Sequence, residues 1–149
     1  MKKILLTIGI LLLANNMFAQ LNVVEKEKKE EIGMIKNLFD PVMETYKRGD
    51  NYVIMYKDLQ YTQISEWKSF SMNKESFDQL YDLIIQNWNN PPEENIMLDM
   101  GEDGFVRLDY AKALGITNVR FMHDPYKSGD VLGFSMWLTE KKLKKLFDK

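Results

Sequence analysis

The segment between Asn73 and Pro92 carries the clearest structural signal in the chain. Its apolar side chains recur every three or four residues, the period of one helix face: Phe77, Leu80, Tyr81, Ile84 and Trp88. Asn73 precedes this stripe and is a favourable N-cap residue. The stripe stops at Pro91-Pro92, because a proline nitrogen cannot donate a helical hydrogen bond. The pattern predicts a helix over 74–88.

Strand-like sequence lies on both sides of this helix. Before it, runs near 42–47 and 51–57 flank Arg48-Gly49-Asp50-Asn51, which is typical of a hairpin turn, and a third run at 61–72 continues the meander. After it, four segments have strand composition: 95–100, 105–110, 118–123 and 131–138. We also expect a short helical turn at 111–114, closed by Gly115, and a last helix from Thr139 to about Phe147.

The residues before the first strand predict another helix. Segment 21–31 is dense in charge, and apolar residues then recur at Ile32, Ile35, Leu38 and Phe39. This spacing predicts a helix from about 25 to 39, with its first turns in solvent. The whole order, α–βββ–α–ββ–ββ–α, predicts an α+β fold: one antiparallel sheet of about six to seven strands with helices packed on one face. This order loosely resembles that of small secreted binding modules, including inhibitor and immunity-type proteins.

Two strand-to-helix junctions in the chain look alike. Met72 and Leu138 each precede a capping residue, Asn73 or Thr139, and each can pack on an apolar residue of the first helical turns, Phe77 or Leu143. Either an internal duplication or independent use of the same junction explains the likeness.

The N-terminus has the three parts of a secretory signal peptide. Lys2 and Lys3 precede an eleven-residue apolar run, 4–14, and a polar stretch ends at Ala19. Residues 1–19 are therefore interpreted as the signal, 20–31 as a charged extension in which the first helix starts, and 32–149 as a single α+β domain. Met17 is larger than the usual residue three before the cut, so nearby cleavage or retention as an anchor stays open. The prediction is a periplasmic or extracellular protein with no further membrane span.

Composition narrows the chemistry that remains. The 149 residues include no cysteine and one histidine, and the formal charge of −2 becomes −4 when Lys2 and Lys3 leave with the signal. Disulfides, thiolate metal sites and cysteine nucleophiles are excluded. The acidic balance argues against nucleic-acid binding, and no cofactor motif is present. The oligomeric state is not indicated.

His123 is the one candidate for imidazole catalysis. With Asp124 or Asp109, and a serine such as Ser128 or Ser135, it could form a hydrolytic constellation. No nucleophile-elbow motif positions either serine. The alternative is a structural histidine at the end of a strand.

Segment 99–104 is the candidate metal loop. Asp99, Asp103 and Gly104 match positions one, five and six of a calcium loop, but Gly101 and Tyr110 occupy positions where ligands are expected. The alternative is an acidic hairpin turn without metal.

Four rings in the first meander are the candidate binding surface: Tyr52, Tyr56, Tyr61 and Trp67. On an outer sheet face they would form a platform for a sugar or a partner protein, whereas on an inner face they would be core. The function we expect is that of an exported, bacterial, non-enzymatic binding domain for another protein, such as an immunity protein or inhibitor, or for an extracellular ligand. The alternatives are a small periplasmic hydrolase that uses His123, and a glycan-binding or envelope structural protein.

Overall fold

The computed structural model of the chain describes residues 27–60 and 65–149. These residues form an α+β fold, as predicted. The strands are divided between two antiparallel sheets of four, however, and the predicted single sheet of six to seven strands is wrong. The physical reason is that the chain starts a new meander after the first helix, with its own hydrogen-bond ladder.

The first sheet contains four strands paired in sequence order: β1 (Lys29–Asn37), β2 (Asp40–Arg48), β3 (Asn51–Lys57) and β4 (Trp67–Met72). Helix α1 (Lys74–Gln86) follows β4. The second sheet repeats this order: β5 (Ile96–Asp99), β6 (Phe105–Ala113), β7 (Ile116–Asp124) and β8 (Gly133–Phe134). A short 3₁₀ turn (Gly101–Asp103) joins β5 to β6, and helix α2 (Glu140–Phe147) follows β8.

Both helices begin at the predicted capping residues. The Asn73 side chain accepts a hydrogen bond from the Ser76 amide at 2.8 Å, and the Thr139 hydroxyl accepts one from the Lys142 amide at 3.4 Å. The apolar residues of both junctions are buried: Met72, Phe77, Leu138 and Leu143. The two halves of the chain thus share one plan, a four-stranded meander followed by a capped helix.

The predicted helix from about 25 to 39 is wrong, because 29–37 forms strand β1. Its apolar residues fit a helical period, but Gly33 and Ile35 face the core of a sheet, paired with Thr45 and Met43 of β2. Leu38 and Phe39 lie at the tip of the β1–β2 hairpin and are about nine-tenths exposed. Pairing with a neighbouring strand outweighed the local pattern.

The short helical turn predicted at 111–114 is also wrong. Strand β6 continues to Ala113, and Leu114 and Gly115 form the turn of the β6–β7 hairpin. Both residues have positive φ angles, 51° and 79°. Positive angles at both central residues are typical of a two-residue hairpin turn that matches the twist of its strands.

One cluster of buried side chains joins the two sheets and both helices. Phe77 of α1 stacks between Tyr52 of β3 and Phe147 of α2, with 4.7 Å between ring centroids on each side. Phe70 of β4 meets Phe121 of β7 edge to face at 5.4 Å. Helix α2 belongs to the second half of the chain but packs on β1 and β2 of the first sheet.

Candidate functional site

His123 lies in the core at the end of β7, where the residue is 3% exposed. The rings of Tyr56 and Phe70 flank it, with centroids at 6.4 and 5.8 Å. Its Nε2 lies 2.6 Å from the Asp103 carbonyl oxygen and donates to it, because a carbonyl can only accept. The other ring nitrogen, Nδ1, is buried and has no hydrogen-bonding partner among the described residues.

The two aspartates that could assist His123 have partners of their own. Asp109 pairs with Arg120, with 2.7 Å between Oδ2 and Nε. Asp124 is buried and accepts hydrogen bonds from the backbone amides of Tyr126, Ser128 and Gly129. Burial raises the pKa of Asp124, but these hydrogen bonds outweigh it and leave the pKa below its usual value. Both carboxylates therefore have structural contacts.

Neither candidate serine contacts the histidine ring by a hydrogen bond. The Ser128 hydroxyl donates to Asp124 at 3.2 Å. The Ser135 hydroxyl accepts from the Phe121 amide at 2.9 Å and donates to the Met136 carbonyl. In residues 27–60 and 65–149, the structure thus brings no serine hydroxyl into hydrogen-bonding contact with His123.

The two candidate metal ligands bind different partners. Asp99 pairs with Lys127 at 2.6 Å and accepts from the Gly101 amide, and both contacts lower its pKa. Asp103 Oδ2 accepts from the amide and the hydroxyl of Ser71, both at 2.6 Å, which ties the 3₁₀ turn to β4. Across the described ranges, no three histidine, aspartate or glutamate side chains come together in a way that could hold a metal ion.

The candidate aromatic residues are divided between the two faces of the first sheet. Tyr52 and Tyr56 face inward with Ile54, and Tyr56 is fully buried. Trp67 faces outward, partly exposed, with Lys57 Nζ 5.6 Å from its ring centroid. Tyr61 lies outside the described residues. The three described rings do not form one surface.

An ion pair between a buried aspartate and a partly buried lysine, at the seam between the sheets, was missed by sequence reasoning. Asp58 lies 2.7 Å from Lys68 and accepts from the amides of Gln60 and Phe134, both at 3.0 Å. Lys68 also donates to the Leu132 carbonyl, so the pair joins β3 and β4 to the segment that enters β8. The spacing of these residues along the chain carries no periodic signal that could have revealed the pair.

A cleft lies between helix α1 and strand β5, and we call it the β5–α1 groove. Its volume is about 430 Å³. Five apolar side chains line it, from three elements of the chain: Met72, Leu80, Leu83, Leu98 and Met100. Ser71, Ser76, Gln79 and Asp99 add polar groups around its mouth.

Strand β5 borders the groove with an open edge. It pairs with β6 on one side, and within the described part of the chain no strand pairs with its other side. Leu98 and Met100 are only partly buried and pack against the edge of the core cluster. Sequence reasoning missed the groove, since its walls come from segments that show ordinary helix and strand patterns.

Comparison with protein-family models, with curated proteins and with solved structures found no match. Among residues 27–60 and 65–149, neither helix has the length and apolar character needed to cross a bilayer. The predicted signal peptide, residues 1–19, lies outside the described residues.

Proposed function

We propose that this chain is a non-enzymatic binding domain that receives an extended segment of another protein in the β5–α1 groove. The observation that carries the proposal is the open edge of β5 beside a cleft that five apolar side chains line. Unpaired backbone amides and carbonyls along a strand edge are a template for a further strand. An apolar cleft next to such an edge supplies the side-chain pockets that make strand addition selective.

The geometry suits a short peptide strand. Four residues of β5, Ile96–Asp99, offer about 13 Å of edge at the usual rise per residue. Alternate side chains of an added strand point to opposite faces, so every second one would enter the groove towards Leu80, Leu83 and Leu98. Burial of two such side chains provides the affinity that four backbone residues alone lack.

Export is part of this proposal. The signal-like residues 1–19 support a periplasmic or extracellular location, where an inhibitor or immunity role is the most concrete form of partner binding. Such a role requires a stable scaffold and a recognition groove. It requires no catalytic group, in keeping with the structural contacts of Asp109, Asp124 and both serines.

The hydrolase alternative has less support from the geometry. His123 is buried between Tyr56 and Phe70, and its Nε2 is occupied by a backbone carbonyl. A general base must come within hydrogen-bonding distance of the group that it deprotonates. Hydrolytic activity that disappears in His123→Ala, with the fold intact by circular dichroism, would revive this alternative.

The binding proposal is tested by filling the groove. Gln79 is exposed and lines the groove, so Gln79→Trp places an indole in the path of an added strand. Gln86→Trp adds the same ring to the same helix at an exposed position that does not line the groove. We expect affinity capture from a periplasmic extract to recover a protein with the wild type and Gln86→Trp but not with Gln79→Trp. Equal recovery by both variants would contradict the proposal.

A further inference from the structure

The mouth of the β5–α1 groove carries an excess of negative charge. Asp99 lines it, and Glu75 reaches it through a hydrogen bond from the Gln79 side chain at 3.3 Å. Asp103 reaches it through its two hydrogen bonds from Ser71. None of the residues that line the groove is a lysine or an arginine.

The excess of negative charge is concentrated where β5 leads into the 3₁₀ turn. Asp99, Glu102 and Asp103 lie within the segment 99–103 there, and Glu102 is exposed. Lys127 pairs with Asp99, and in the described ranges no ion pair involves Glu102, Asp103 or Glu75. One lysine therefore faces several carboxylates at this end of the groove.

The N-terminus of α1 does not reverse this balance. A helix N-terminus carries a partial positive charge, but Asn73 caps it and Glu75 lies in its first turn. A carboxylate in the first turn offsets the helix dipole. Lys74 also lies in this turn, but it pairs with Asp78. The carboxylates around the mouth of the groove therefore still outnumber the lysines.

From this charge distribution we infer that the segment bound in the groove is an extended, cationic peptide strand. Its apolar side chains alternate with lysine or arginine, so that the apolar ones enter the groove and the basic ones lie by the carboxylates of Glu75 and of the 3₁₀ turn. Complementary charge selects the partner and guides its approach, while the apolar contacts and the strand pairing hold it. The inference rests on the proposed function and adds the chemical class of the partner.

The test uses three synthetic peptides of equal length, in which valine alternates with lysine, glutamine or glutamate. Each is titrated into the nitrogen-15-labelled protein, and the backbone amides of β5 and α1 are followed by NMR. We expect the lysine peptide to shift the amides of Met97, Leu98 and Asp99, and to bind at least tenfold more tightly than the glutamate peptide. The difference should shrink as salt is raised, because exposed charges are screened.

Matched variants test which carboxylates of the protein attract the lysine peptide. Glu102→Gln should weaken binding of the lysine peptide about threefold, the size expected for one exposed ion pair. Glu30→Gln removes an exposed carboxylate from β1, far along the chain from the groove, and should leave the affinity unchanged. Gln79→Trp should abolish the shifts for every peptide.

The outcomes separate the two proposals. If the three peptides shift the β5 amides with equal affinity, strand addition stands and the inference about charge is overturned. If none of them shifts the amides of β5 or α1, both proposals are overturned. If the lysine peptide shifts only amides elsewhere, such as those of β1, its binding is a general attraction to an acidic protein and the inference also fails.

Discussion

Gly33 on β1 lies directly against the backbone of Lys145 on α2. A Cβ atom added to Gly33 would stand 2.2 Å from the Lys145 carbonyl oxygen and 2.5 Å from that of Leu146. Heavy atoms at such a distance repel strongly, and a backbone carbonyl cannot turn aside as a flexible side chain can. The absence of a side chain at Gly33 is thus what lets the last helix of the chain pack on its first described strand.

We expect Gly33→Ala to destabilise the protein by about 1–3 kcal/mol, the usual cost of forcing an extra methyl group into a packed site. The clash pushes the C-terminal end of α2 away from β1 and loosens the packing of Leu146 and Phe147. Urea unfolding followed by circular dichroism measures the loss. Gly115→Ala is the comparison, because its added methyl meets nothing within 4 Å and only the positive φ angle opposes it. An unfolding midpoint in Gly33→Ala equal to that of the wild type would show that α2 does not pack as described.

Lys68→Met should destabilise the fold by about 3 kcal/mol at neutral pH, because it leaves the Asp58 carboxylate buried without its ammonium partner. The double variant Lys68→Met/Asp58→Asn should recover part of this loss, since the amide is uncharged and its oxygen can still accept from Gln60 and Phe134. Urea unfolding of the three proteins measures the effect. A double variant less stable than Lys68→Met would contradict the ion-pair explanation.

The ion pair between Asp58 and Lys68 predicts that the stability of the fold depends on pH. Burial raises the pKa of Asp58, but the contact with Lys68 and the two backbone hydrogen bonds outweigh it, so the folded pKa lies below the unfolded one. The contribution of Asp58 to the unfolding free energy is therefore complete above the unfolded pKa of about 4, and it is lost as the pH falls through the folded pKa. We expect Asp58→Asn to flatten the decline in unfolding free energy below about pH 4 relative to the wild type. An identical decline in both proteins would assign it to other carboxylates.

Asp124 should control the order of the turn that follows β7. Its carboxylate holds the amides of Tyr126, Ser128 and Gly129, and Arg107 donates to the Gly129 carbonyl at 2.8 Å. We expect Asp124→Ala to remove the hydrogen-exchange protection of the Gly129 amide, and Asp124→Asn to preserve part of it. Protection of the Phe121 amide in the core serves as the internal control. Unchanged protection at Gly129 in Asp124→Ala would contradict this role.

Tyr110 should make the fold sensitive to alkali. Burial raises the pKa of Tyr110 to about 12, and its hydroxyl lies 3.5 Å from the Ile84 carbonyl of α1. The folded pKa is above the unfolded value of about 10. The contribution of the protonated Tyr110 to the unfolding free energy is therefore complete below about pH 10 and is lost as the pH rises towards 12. In Tyr110→Phe, an absorbance titration should show one tyrosine fewer ionising near pH 12. The unfolding free energy of this variant should also fall less steeply than that of the wild type between about pH 10 and 12. A titration curve identical to that of the wild type would contradict the assignment.

Local patterns predicted the elements that depend on neighbours along the chain. The stripe from Phe77 to Ile84, the cap at Asn73 and the cap at Thr139 all have a local cause, and each prediction is confirmed. The 25–39 prediction failed because Ile32 and Ile35 suit either a helix or a strand, and pairing with β2 decided between them. The β5–α1 groove could not be predicted, because it is the space left between two elements that are each ordinary in sequence.

Residue types and local patterns were enough to predict the α+β class, both described helices with their caps, the hairpin around Gly49, and the exclusion of cysteine chemistry. These depend on backbone geometry and residue types within a few positions. Four features became visible only in the folded chain: the division into two sheets, the packing of α2 on Gly33, the pairing of Asp58 with Lys68, and the open edge of β5 beside a cleft. Each of these depends on contacts between segments far apart in sequence, and local periodicity contains no information about which distant surfaces will meet.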